Sequence, residues 1–197
     1  MTGKQIERIQ LKIKKIKSEL AADKRRWGGH YDDSRGLRYL PPQYYIKLED
    51  YKGGLRYLNW FDKNFPDDIG SPDFLFESTV ILFQRKKYKE AEKKAFETFC
   101  SNTYIFDMFF GKPIIAISKY EGSNIESPDF LIHFSYSCEQ PFLAEFRIWL
   151  HTLISSTKFK EKCQKYIEIY TQLKDEHDIE KRKYLIQNAQ NLKTIND

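Results

Sequence analysis

A chain of 197 residues that is 41% apolar and 31% charged can bury a sizeable core, and it is too apolar to be disordered throughout. Its fifteen Phe, thirteen Tyr and three Trp are too many to be ligand contacts and must mostly be packing. The net charge of +5 is uneven: residues 1–26 carry nine basic side chains against Glu7, Glu19 and Asp23, a balance of +6, so the remainder sums to −1.

Residues 4–26 read as a helix. Ile6, Ile9, Ile13, Ile16 and Leu20 fall at spacings of 3, 4, 3 and 4, the pattern of a helix-pairing, coiled-coil-type seam. Lys12, Lys14, Lys15, Lys17, Lys24, Arg25 and Arg26 make the rest of its surface basic. Such a helix caps a helical array, pairs with a second copy or a partner helix, or tracks the phosphates of nucleic acid without reading bases. The seam is narrow and free of aromatics, unlike a membrane-surface helix. Gly28 and Gly29 end the segment, and Asp32, Asp33 and Ser34 offer caps for the next helix. The basic N-terminal domain is therefore 1–27.

From Leu48 the chain changes style. "LEDYKGGLRYLNWFDKNFPDD" (48–68) and "FQRKKYKEAEKKAFETFCSNT" (83–103) can be laid on each other, with their aromatic and small positions at a shift of 37 residues. Tyr51, Gly54, Leu58 and Phe61 fall on Tyr88, Ala91, Ala95 and Thr98. A period in the thirties built from paired helices signals a solenoid. Small residues at Gly54, Ala91 and Ala95 allow two helices to approach closely.

On those residues, with Pro66 closing the first unit, the stretch of roughly 35–103 resembles the tetratricopeptide repeat family. It is also similar to a group of largely uncharacterised bacterial helical-repeat proteins. The chain departs from the family pattern at Thr98, at Thr103 where a proline closes a unit, and at Pro41-Pro42. Those prolines would kink or restart the first helix. The resemblance implies an all-α fold of antiparallel helix pairs stacked as a short solenoid over 35–111. It also implies a concave groove for a protein partner. The groove-facing positions would be Tyr39, Gln43 and Lys47, then Asp73, Phe76, Val80, Phe83 and Gln84.

Residues 112–127 read as a connector, in which "IIAIS" has the β-branched bias of a short strand or an extended segment. The rest, 128–197, reads as a C-terminal helical bundle or cap. Ser127-Pro128-Asp129-Phe130-Leu131 duplicates Ser71-Pro72-Asp73-Phe74-Leu75, and both spell a helix start. After Ser127 a helix to about 138 would carry Phe130, Leu131, Phe134 and Cys138 on one face. Pro141 opens another, with Phe142, Phe146, Trp149 and Leu153 as its stripe. Helices follow at about 158–174, with Tyr166, Ile169, Tyr170 and Leu173 inward, and at 178–192, with Ile179, Leu185, Ile186, Ala189 and Leu192 as a weak apolar face.

Chemistry is sparse. Cys100, Cys138 and Cys163 form no CxxC pair, so neither a zinc knuckle nor a disulfide framework is indicated. His30, His133, His151 and His177 are scattered, and "HYDD" (30–33) reads as a helix cap in a solvated loop. His133 and His151 fall within apolar segments and read as half-buried structural residues. No phosphate loop, GxSxG or Cys–His motif occurs, so no catalytic residue, metal ligand or cofactor is assigned. No apolar signal core or membrane-length run is present, and the expected compartment is the cytoplasm. The leading expectation is a noncatalytic scaffold or adaptor that binds a protein partner. The alternatives are a nucleic-acid-associated accessory protein using the basic helix, and an immunity- or antitoxin-type protein that masks a partner.

Overall fold

The Thr2 side chain accepts from the Gln5 amide and the Gln5 side chain accepts from the Thr2 amide. This capping box starts α1 (Gly3–Arg26). Gly28 and Gly29, at φ +60° and +102°, end it, and the Gly29 amide donates back to the Lys24 carbonyl. The computed structural model describes residues 1–31 and 34–194. Asp32 and Asp33, expected as caps, lie outside the described residues. Among those described, all regular structure is helical and no strand occurs.

The chain divides into two compact units, Met1–Lys87 and Tyr88–Asp197. That division falls inside the expected 35–111 repeat domain. In the first unit, a 3-10 turn at Leu37–Tyr39 precedes α2 (Pro41–Lys47), α3 (Tyr51–Asn64) and α4 (Pro72–Gln84). Pro41 and Pro42 restart the chain as α2, at positions where a missing amide costs nothing. Helix α2 packs on both α3 and α4, and α1 packs on α2 and the 3-10 turn.

Gly54 shows why α3 and α4 come together here. A Cβ on it would lie 2.9 Å from Cδ1 and 3.2 Å from Cγ1 of Ile81. Ile81 is fully buried, as are Phe76 and Val80. The α3–α4 turn is tied back by Asp68, which accepts from the Tyr39 hydroxyl at 2.6 Å, from Arg38 Nε at 2.7 Å and from the Gly70 amide at 2.9 Å.

The second unit contains α5 (Tyr88–Ser101), α6 (Ile105–Phe109), α7 (Ala144–Ser155), α8 (Thr157–Asp175) and α9 (Ile179–Thr194). Helices α8 and α9 pack on each other, and α5 packs on α8. The Tyr166 hydroxyl donates to the Cys100 carbonyl at 2.8 Å, joining α8 to α5. Residues 113–121 form no strand or helix. The Tyr120 amide donates to the Tyr170 carbonyl, and the Ile117 amide donates to the Tyr104 hydroxyl.

The second Ser-Pro-Asp-Phe-Leu departs from expectation. It forms a 3-10 helix, Pro128–His133, that stops five residues short of 138, and Phe134 is already extended. Of the expected apolar face only Leu131 is fully buried. Phe146 on α7 is fully buried, while Phe142, in the 3-10 turn Pro141–Leu143 that precedes it, is 37% exposed. On α9, Ile179 and Ile186 are exposed, so its buried side is Ala189 flanked by the half-buried Leu185 and Leu192. No helix among the described residues is long and apolar enough to cross a membrane.

Candidate functional site

The expected groove is not open. Phe76 and Val80 are 0% exposed and Phe83 is buried, because α4 is covered around its circumference, Glu77, Ser78 and Thr79 included. Tyr39 is half-buried and committed to Asp68. Burial and that hydrogen bond push its phenol up to about 12. Asp73 keeps one carboxylate oxygen buried without a partner, and burial raises its pKa. Only Lys47 is exposed, with Gln43 and Gln84 half-exposed.

The pairing seam is used within the chain. Ile13, Ile16 and Leu20 are buried, Ile9 is half-buried and Ile6 is exposed. The three buried side chains dock α1 at roughly 1.5–3 kcal/mol each, and their apolar surface is not open for pairing in trans. Docked this way, α1 turns its cations outward. Lys12, Lys14, Lys15, Lys17, Lys24, Arg25 and Arg26 are all exposed.

Beside that face lies a cleft of about 680 Å³ between the C-terminal half of α1 and α3. Lys17, Ala21, Lys24 and Gly28 line one side at spacings of 4, 3 and 4, the helix edge bordering the buried seam. Tyr57, Trp60 and Asn64 of α3 line the other, with Tyr31 between. The aromatic side chains brace one another. Tyr31 meets Trp60 edge-on at 6.0 Å and Phe65 at 4.6 Å, and Trp60 lies 5.2 Å from Tyr57. Lys24 is fixed over the Tyr31 ring at 5.1 Å while its Nζ donates to Asn64 Oδ1 at 3.0 Å. The Tyr31 hydroxyl donates to the same oxygen, and Asn64 Nδ2 donates to the Trp60 carbonyl.

Sequence reasoning named Lys17, Lys24 and Arg25 but missed Trp60 and Tyr57, which read as core aromatics, and Tyr31, which read as part of a solvated capping loop. The signal was Ala21 on an otherwise long-side-chained helix edge, in register with Gly28.

Elsewhere little is disposed for chemistry. All four histidines are exposed, including His133 and His151, which were expected half-buried. His133 ends a short 3-10 turn instead of lying inside a helix, and His151 on α7 meets the Phe110 ring at 5.8 Å. Burial pushes the Cys100 and Cys163 thiols up, Cys163 to about 12, which keeps them protonated at neutral pH. Among the described residues no group of three or more His, Cys, Asp or Glu is placed to hold a metal ion.

Fold and site together describe an all-helical protein with a cation-faced N-terminal helix and an aromatic cleft beside it. No protein-family model matches the chain, and neither does any curated protein or solved structure.

Proposed function

We propose that the protein is a noncatalytic, nucleic-acid-binding accessory module in which α1 tracks a phosphate backbone. One observation carries this reading: α1 buries Ile13, Ile16 and Leu20 against its own unit, so seven exposed cations are held in a fixed orientation. A docked helix loses less freedom on binding than a loose basic arm. Lysine and arginine on phosphates confer affinity without sequence preference, and the affinity falls with salt, by about 0.9 log units per log unit of salt for each duplex phosphate neutralised. The test is binding of labelled single- and double-stranded oligonucleotides from low to physiological salt. The comparison is a variant with Lys12, Lys14, Lys15 and Lys17 changed to Glu. Salt-dependent binding lost in the variant supports the reading, and no binding at low ionic strength ends it.

A second reading, a short tetratricopeptide-like scaffold for a protein partner, is favoured by the close approach of Gly54 to Ile81, which a small-residue repeat position explains. Its test is a partner whose capture is lost when Gln43 and Lys47 are changed to Glu and kept when the α1 lysines are.

A further inference from the structure

We propose that the cleft between α1 and α3 is a stacking site for an unpaired nucleobase of a single strand, with the adjoining phosphates on Lys17 and Arg25. This inference rests on the nucleic-acid reading of α1 and names what that surface selects. Three features of the cleft point the same way.

The first is space. At about 680 Å³ the cleft is the size of a small-molecule pocket. It is kept open by Ala21 and by two glycines at which an added Cβ would meet nothing within 4 Å.

The second is its chemistry. Its inner wall is the half-exposed Trp60, with Tyr31 set edge-on to it and the buried Tyr57 packed against it, an apolar surface that is already ordered. Its rim is cationic. Lys17 and Arg25 are exposed and have no ion-pair partner among the described residues. Among those residues no carboxylate lines the cleft. A ligand that suits it is planar on one side and anionic on the other.

The third is what the cleft lacks. The Asn64 amide is spent on Lys24, Tyr31 and the Trp60 carbonyl. A single amide hydrogen is left on that side chain, too little to read a base edge, so selection is for the π-face of any base. Stacking of this kind is sequence-tolerant and contributes about 5- to 150-fold in affinity per base. The cleft continues the cationic face of α1 through Lys17 and Lys24, so a strand tracked along the helix is delivered to it. A duplex, whose bases are stacked and paired, is not.

The test compares a labelled twelve-nucleotide thymidine strand with an abasic strand of equal length, on the full chain and on Ala21→Phe and Trp60→Ala. Ala21 is exposed, so its variant fills the cleft without disturbing the core, and thermal melting checks both folds. The expected result is that the thymidine strand binds roughly 5- to 150-fold more tightly than the abasic one, and that either variant removes the preference. Equal affinity for both strands overturns the inference while leaving phosphate tracking by α1 intact. Loss of all binding to both strands overturns the two together. Thymidine monophosphate binding as tightly as the strand makes the ligand a free nucleotide and overturns the strand assignment. An acidic tyrosine-containing peptide that displaces the strand at lower concentration makes the cleft a peptide site and overturns it as well.

Discussion

The hydroxyl of Tyr39 donates to the Asp68 carboxylate at 2.6 Å, and Arg38 Nε meets the same carboxylate at 2.7 Å. Burial alone would favour the neutral acid. The bonds from Tyr39, from the Gly70 amide and from Arg38 outweigh it and hold the Asp68 carboxyl below its usual range. A carboxyl depressed in the folded state stabilises the fold above the unfolded carboxyl's range, and this stabilisation is lost as pH falls through the folded value. Asp68→Asn is therefore expected to cost about 2 kcal/mol at pH 7. In urea melts the deficit should narrow below about pH 4. A deficit that does not change with pH would show that the charge is not what stabilises the turn.

Gly54 and Ile81 give a packing prediction with a built-in rescue. Gly54→Ala gains helix propensity of about 1 kcal/mol but drives a methyl into the Ile81 side chain, with overpacking costs of roughly 1–3 kcal/mol. A net loss of up to about 2 kcal/mol is expected. Ile81→Val removes the Cδ1 that lies 2.9 Å from the new methyl. The double variant should then be less destabilised than the sum of the singles, a coupling readable in a double-mutant cycle.

Asn102 is 1% exposed and satisfies three backbone groups. Its Nδ2 donates to the carbonyls of Ile125 and Ser127 at 2.8 and 2.9 Å, and its Oδ1 accepts from the Tyr104 amide at 3.0 Å. Asn102→Ala leaves the buried Tyr104 amide and two part-buried carbonyls without this partner and should cost about 3 kcal/mol in thermal melts. Asn102→Asp should be worse, since it sets a carboxylate against two carbonyl oxygens.

Along the α1 seam the expected costs diverge. Ile16 is 8% exposed and Ile6 is 37% exposed. Ile16→Ala should cost about 2 kcal/mol or more, and Ile6→Ala less than about 0.5 kcal/mol. Equal, small effects in denaturant melts would mean that α1 does not dock through this seam.

The helical elements were legible because their signals are local. Apolar spacing marked α1, α3, α5, α7 and α8, and Pro41, Pro72 and Pro141 marked starts that the structure keeps. The site was legible by half. Charge is written into the chain, so the cations of α1 stood out. The cleft was not legible, because an aromatic at helical spacing looks the same whether its face is covered or left open. Whether Trp60 is core or wall depends on Ala21 and Gly28, which come from a helix more than thirty residues earlier in the chain.

The two copies of Ser-Pro-Asp-Phe-Leu divide what each level decides. The sequence by itself determined that both would turn into a helical start. At Ser71 the hydroxyl accepts from the Phe74 amide, and the long apolar run behind it is buried and propagates as α4. At Ser127 the hydroxyl instead donates to the Asn124 carbonyl, and the Ser127 carbonyl is taken by Asn102. The same five residues there stop after a 3-10 turn. A pentapeptide specifies a first helical turn, but burial of the residues C-terminal to it supplies the free energy that extends a helix. That burial is decided by partners distant in the chain.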